Sequence, residues 1–353
     1  MRFAALLLSL VCVSLTAAEP PLERIAFGSC AKQDKPQPIW DAVCDFKPQR
    51  FLFLGDNIYG DSPDVAVIRA KYAQLGEQPG YVKLKELCPI RATWDDHDYG
   101  ADDAGADYAQ RRESQQAFLD FFGTGKDDVR RTRDGVYSAE IVGPPGKRVQ
   151  IILLDTRFFR SPLVKSDKKA EPGEGYRGKY GENTAPDATV LGAAQWTWLE
   201  EQLRQPAEVR LIGSSVQVIA HESGWEMWGN FPRERARLFE LLRTTKANGV
   251  VLLSGDRHLA EISRLAAGDG GLSYPLFDVT SSSLNAPSGN MTKAAVRFAN
   301  ELNRHRLGLT FFDVNFGAVL IDWSAADPIV RVQVRDEKGG VVLQQRMLLS
   351  ELK

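Results

Sequence analysis

FLFLGDNIYGD (residues 51–61) decides how this chain is read. Phe51 to Leu54 form an apolar run of strand length. It ends in Gly55-Asp56-Asn57-Ile58-Tyr59, where a carboxylate and a phenol lie three residues apart on a tight turn. The texture recurs. RIAFGSC (24–30) ends in Cys30, RATWDDHDYG (91–100) offers Asp95, Asp96, His97 and Asp98, and VVLLSGDRH (250–258) offers Asp256 and His258. Each apolar run predicts a buried strand whose chemically loaded residues fall just past its C-terminal end. In open α/β sheets that edge is where ligands bind. Four such edges in order predict one metal-dependent site assembled from distant parts of the chain.

Working outward, apolar and β-branched-rich runs at 24–29, 51–54, 149–154, 209–213 and 249–253 alternate with helical patterns at 64–75, 110–122, 192–204 and 232–245. Pro232 suits a first helical turn. Beyond about residue 258 short alternating strands are expected around Gly268-Asp269-Gly270-Gly271 and at 317–322, 329–335 and 340–347. Lys338-Gly339-Gly340 reads as a hairpin turn. Strand–helix alternation followed by strand-rich hairpins predicts an α/β fold of two stacked mixed sheets flanked by helices. Residues 161–190, polar and carrying Pro172 and Pro186, read as a long surface loop and a candidate flap over the site.

Of the 353 residues, 43% are hydrophobic and 25% charged, the make-up of an ordinary globular protein, and a net charge of −2 argues against electrostatically driven nucleic-acid binding. Residues 1–18 stand apart. Arg2 is followed by an apolar stretch from Ala4 to Leu15 and by Thr16-Ala17-Ala18, the pattern of a cleavable signal peptide and too short for a membrane span. Val11 before Cys12 argues against lipidation. The expectation is an exported protein without a transmembrane anchor, residues 19–353 forming one catalytic domain that ends in β-hairpins. Cleavage removes Cys12 and leaves Cys30, Cys44 and Cys88, an odd number that keeps one thiol out of any disulfide.

The loaded residues differ in what they say. Asp56 can bridge two cations through its two oxygens and Tyr59 can ligate a trivalent ion as phenolate; blandly, the pair caps a helix and packs. The run Asp95-Asp96-His97-Asp98 is more telling, because adjacent carboxylates repel and need a cation or full solvation. Asp256 and His258, at i and i+2 of an extended segment, face the same way. His221 and Gln217 follow another apolar run and are weaker candidates, and His305 reads as a surface helical residue. Among the seven tryptophans Trp196 and Trp198 sit in a helical pattern, whereas Trp225 and Trp228, near Gly224 and Gly229, are candidates for lining a cleft.

Together these motifs resemble the PhoD-like (alkaline phosphatase D) branch of the calcineurin-like metallophosphoesterases. FGSC, GDNIYGD, TWDDHDYG, the helix Ser114–Phe122, LLDTR (153–157), LGAAQWTWLEEQL (191–203) and SGDRH occur in that family's order over residues 24–325. The resemblance implies a four-layer αββα sandwich and a dinuclear or larger metal centre. It places Cys30 and Tyr59 as iron ligands, Asp56 as the bridging aspartate, and Asp96, Asp256 and His258 as further ligands, with His97 and Asp96 in catalytic positions. The cofactors it implies are Fe³⁺ with Ca²⁺, other divalent metals being alternatives, and Asp96 and Asp256 are hard oxygen ligands suited to Ca²⁺. Where the family's better-known members read GDYIYE this chain has GDNIYGD. With Cys30 taken as a ligand, Cys44 and Cys88 remain, either bridged or free.

The function expected is metal-assisted hydrolysis of a small phosphoester, monoester or diester. Alternatives are a phospholipase-type phosphodiesterase, a non-catalytic secreted protein that binds metal or phosphate, and a carbohydrate-binding role suggested by the tryptophans. A covalent serine route lacks its G-x-S-x-G motif.

Overall fold

A computed structural model describes residues 19–167, 177–288, 298 and 301–353. The expected signal peptide, residues 1–18, lies outside the described residues, as does the middle of the polar 161–190 segment. The chain opens with β1 (Arg24–Gly28), α1 (Ile39–Phe46), β2 (Arg50–Leu54), α2 (Val65–Gly76), α3 (Pro79–Leu87) and β3 (Ile90–Thr93). There follow a one-turn α4 (Asp96–Tyr99), α5 (Arg111–Phe121), β4 (Ser138–Val142), β5 (Val149–Leu153) and a two-residue ribbon, β6 (Val164–Lys165) with β7 (Tyr180–Gly181). Next are α6 (Gly192–Leu203), β8 (Val209–Ser214), α7 (Pro232–Thr244), β9 (Val250–Ser254), β10 (Ala260–Leu265) and β11 (Leu276–Ser281). The last strands are β12 (Arg306–Phe311), β13 (Asn315–Asp322), β14 (Ile329–Asp336) and β15 (Val341–Leu348).

Two mixed sheets result, ordered β15-β14-β13-β1-β2-β3 and β12-β10-β11-β9-β8-β5-β4. In the first, β1, β2 and β3 run parallel; in the second, β5, β8, β9 and β11 do. Strand alternation sorts the side chains into layers. On β2, Leu52 and Leu54 face the second sheet, whereas Phe51 and Phe53 pack under α1, α2, α3 and α5 with Trp40, Tyr72, Leu84 and Phe118. On β9, Val251 and Leu253 face the first sheet, and Val250 and Leu252 lie under α6 and α7 with Trp196, Leu199, Leu238 and Leu242. Three apolar layers, one between the sheets and one outside each, make the expected four-layer sandwich. Strands buried on both faces read as continuous apolar runs, which is why these were legible.

Several expectations are corrected. Cys44, on α1, and Cys88, capping α3, form no disulfide; both are buried free thiols packed as small hydrophobes in the aromatic layer. His305 lies in a turn before β12 rather than in a helix, its ring 5.4 Å from that of His221. Trp228 is fully buried, its indole bonded to Ser214 Oγ, and so does not line a cleft. The Gly268–Gly271 stretch is a turn between β10 and β11. Helices α1 and α3 are not among the helices expected from the sequence, although α1 buries Ile39, Trp40, Val43, Cys44 and Phe46 on one face. Among the described residues no helix is long and apolar enough to cross a membrane.

Candidate metal centre

The parallel strands of both sheets deliver their C-terminal ends to one cleft. Cys30 follows β1, Asp56 and Tyr59 follow β2, Asp96 and His97 follow β3, and Asp256 and His258 follow β9. Four of these residues take the left-handed conformation that L residues avoid: Cys30 (φ 59°), Asp56 (φ 50°), Asp256 (φ 68°) and His258 (φ 53°). Each costs about 1–2 kcal/mol. Such strain persists where surrounding structure over-determines it, and it concentrates at functional sites. The loops also approach closely. Gly55 has φ +100°, and a Cβ there would fall 2.4 Å from Asp95 Cβ, so only glycine lets the β2 turn pass the β3 turn.

All six residues proposed as ligands from sequence come together. Cys30 Sγ lies 3.3 Å from Asp56 Oδ2, and the Tyr59 hydroxyl is 3.4 Å from the same oxygen and 3.2 Å from His258 Nε2. Donor atoms of Cys30, Asp56 and His258 lie within 4.8 Å of one another, as do those of Asp56, Asp96 and His97, and those of Asp95, Asp96 and Asp256. Asp56 is thus common to two sets and Asp96 links the second to the third. Asp56 Oδ1 and Asp96 Oδ1 are buried without a hydrogen-bond partner among the described residues. A buried carboxylate oxygen left unpaired is costly, and a cation between these sets removes that cost. The donor set therefore fits metal ions.

Electrostatics agree. Burial, then the field of Asp96, pushes the Asp56 carboxyl well above its usual range, and burial with Asp95 does the same to Asp256. The bare chain resists full ionisation of the cluster, as like charges at short range must. His258 is held down at about 4, chiefly by burial. It stays a neutral imidazole whose Nδ1 bonds the Ala286 carbonyl, leaving the Nε2 lone pair for the site. For His97, burial disfavours the cation, but its 2.6 Å hydrogen bond to Asp61 and the fields of Asp56 and Asp96 win and raise it to about 11.

Behind the cluster stands a group that sequence reasoning did not single out. Arg157, in the turn after β5, is wholly buried; its Nε donates to Asp95 Oδ1 at 2.5 Å and its Nη1 to Glu226 Oε1 at 2.8 Å. Ser215 Oγ also donates to Asp95 Oδ1. Asp98, beside the candidate ligands, accepts from the backbone N–H of Asn57 and of Asp95, so it ties the two ligand loops together. Arg157 lay within the LLDTR motif without a role. The signal was the charge balance itself, since a dense acidic run entering a core calls for a buried cation. Lys179, from the polar 161–190 segment, lines the cleft as a flap residue would, and Trp225 lines it too. His221 and Gln217 do not: Gln217 is buried against Glu261 and Thr280, and His221 faces a separate groove.

A profile of PhoD-like phosphatases matches residues 25–328. The chain belongs to the PhoD-like phosphatase family. An alkaline phosphatase D of Bacillus subtilis is 21% identical over 256 residues; the match takes in 64% of this chain and 41% of that protein's length. Among solved structures, that of PhoD superposes with a TM-score of 0.66 at 16% identity, covering 94% of this chain and 72% of its own. A dimetal phosphatase from Danio rerio gives 0.53 at 12% identity, covering 93% and 99%. GAP50, described as the anchor in the inner membrane complex of Plasmodium, gives 0.51 at 12%, covering 93% and 89%. At these identities the structural likeness shows the fold. PhoD-like membership accounts for the order of the motifs, and the strained loops after β1, β2, β3 and β9 are where that order becomes a site.

Proposed function

We propose that this PhoD-like chain is an exported, metal-dependent phosphoester hydrolase of the alkaline phosphatase D type. The observation that carries the reading is the pair of buried oxygens that accept no hydrogen bond among the described residues, Asp56 Oδ1 and Asp96 Oδ1, set between a thiol–phenol–imidazole group and an acidic group. Cys30, Tyr59, Asp56 and His258 would hold one ion. Asp56, Asp96 and Asp256 would hold a second, with Asp56 bridging. Thiolate and phenolate favour a ferric ion, whereas the acidic set suits Ca²⁺. Cations so held would activate water and offset charge on the phosphoryl oxygens.

The rest is done by side chains. Arg157 keeps Asp95 and Asp96 in place from behind. Asp61 takes His97 Nδ1, which leaves Nε2 as the nitrogen available to protonate a departing ester oxygen. The small phosphoester is taken as monoester or diester. Residues 1–18 are removed on export, and 19–353 act as one catalytic unit.

Metal analysis paired with mono- and diester assays tests this, with Asp56→Asn as the probe. Loss of a bridging carboxylate is expected to cut turnover about a hundredfold or more with the fold intact. Near-wild-type rates with wild-type metal content would sink the bridging role. Metal bound with no turnover of any phosphoester would replace the hydrolase by a metal- or phosphate-binding protein.

A further inference from the structure

At the end of β11 the chain runs through Ser281-Ser282-Ser283-Leu284-Asn285, and this segment lies against the turns that carry Cys30 and His258. Leu284 N donates to Ser29 O at 3.0 Å and Asn285 N to Cys30 O at 3.4 Å. The Asn285 side chain accepts from Lys32 N at 2.6 Å and donates to Lys32 O at 2.9 Å. On the other turn, Ser288 N and Ser288 Oγ both donate to His258 O, at 3.1 and 2.7 Å, and the Ala286 carbonyl meets His258 Nδ1. Cys30 and His258 both have left-handed backbones. The bonds from this one segment are what holds each of them there.

A single side chain joins the two turns directly. Ser282 is fully buried; its Oγ accepts the His258 N–H at 2.9 Å and lies 3.2 Å from Cys30 Sγ. In the metal-free chain the Cys30 thiol donates to Asp56 Oδ2, 3.3 Å away. A thiol that binds a cation gives up its proton to solvent, and its sulfur can then only accept. The Ser282 oxygen already accepts from His258, and its hydrogen bonds no other acceptor among the described residues, so it turns to the sulfur. Ser29 is equally buried and comes within 3.6 Å of the same sulfur, but its hydroxyl donates to Ser281 O at 3.4 Å. Two hydroxyls of one size flank the sulfur, and the nearer one is free to donate to it.

We propose that Ser282 is a positioning residue of the metal centre. Its one hydroxyl accepts from the His258 backbone and donates to the Cys30 thiolate, which fixes these two ligands relative to each other and limits the charge the sulfur gives a bound cation. The proposal rests on the reading above that Cys30 and His258 hold the same ion. Partners of this kind typically change metal affinity by about ten- to a hundredfold, and hydrogen bonds to sulfur tune the electronics of the metal it binds.

The test strips the protein of metal and reloads it with Co²⁺, whose thiolate charge-transfer band in the near ultraviolet reports a metal–sulfur bond. Cys44 and Cys88 are packed in the aromatic layer, so the band belongs to Cys30 and should vanish in Cys30→Ser. Ser282→Ala should move the band to longer wavelength, because a sulfur lone pair relieved of its hydrogen bond lies higher in energy, and should weaken Co²⁺ binding about ten- to a hundredfold. Ser282→Gly removes the same hydroxyl and should give the same shift, which guards against a folding artefact of one variant. Ser282→Thr should restore the band, and Ser29→Ala should leave it in place. A band that stays put when the Ser282 hydroxyl is removed, or that moves as far in Ser29→Ala, refutes this inference alone and leaves Cys30 a ligand. Wild-type protein that binds Co²⁺ without the band refutes Cys30 as a ligand, and this inference with it.

Discussion

Replacing Arg157 with methionine should destabilise the protein by about 3–5 kcal/mol, the cost of stripping one partner from a buried ion pair. Arg157 has no exposed side-chain surface, and its partners Asp95 and Glu226 are 1% and 3% exposed. When the guanidinium is gone Glu226 still has Arg160 at 2.9 Å, but buried Asp95 has neither a second cation nor water to turn to. Methionine restores volume without charge, so the loss reports the uncompensated Asp95 rather than a cavity. Protonation offers the variant a partial escape. With Arg157 present, burial already raises Asp95 to about 6 and Glu226 to about 7 against the lowering field of Arg157, and without it both move higher. A carboxyl whose folded pKa is raised binds more protons folded than unfolded, so its contribution falls as pH rises above the unfolded value. The deficit should therefore be largest near pH 8 and shrink towards pH 5. Urea unfolding of the metal-free chain at both pH values measures it. Asp95→Asn combined with Arg157→Met should recover part of the loss, since Asp95 is left with only the Ser215 hydroxyl, whereas Glu226 keeps its pair with Arg160 at 2.9 Å. A deficit below about 1 kcal/mol at pH 8, or one that grows on acidification, would refute the charge-balance account of this cluster.

Two further outcomes are expected. If Cys30 and Tyr59 hold a ferric ion, concentrated protein should be coloured by ligand-to-metal charge transfer. Tyr59→Phe should shift or bleach the band and lower activity, while Asp96→Ala should mainly reduce occupancy by the second metal. Colourless, fully active protein holding only divalent ions would leave a hydrolase without its iron. Mass spectrometry of exported protein should give a chain beginning at Glu19; a retained Met1 or a lipid on Cys12 would overturn the proposed signal peptide.

What could be read from the sequence is what local chemistry writes into it. Phe51–Leu54 and Val250–Ser254 are continuous apolar runs because the strands are buried on both faces, and Asp56, Asp96 and His258 sit just beyond such runs, at the strand ends where ligands bind in sheets of this kind. Lys338-Gly339-Gly340 announced its hairpin because a tight turn needs residues free of a Cβ penalty. Helices α1 and α3 were harder to read because they are short and owe their stability to packing under the first sheet; α1 buries Ile39, Trp40, Val43, Cys44 and Phe46 along one face, α3 only Tyr81 and Leu84. Cys44 and Cys88 show the same limit, since no spacing distinguishes a bridge from two thiols packed as hydrophobes on different helices.

The sequence alone determined which residue types are available and that they fall at strand ends. Which of them meet is set by how the two sheets dock. Arg157 reaches Asp95 across 62 residues of chain, and Tyr59 reaches His258 across 199. Trp225 and Trp228, three residues apart, part company, one lining the cleft and the other filling the core. The physical reason is that strand propensity and turn chemistry act over a few residues. Partnering between buried charges is set by where whole strands dock, and that depends on the summed packing of both sheets.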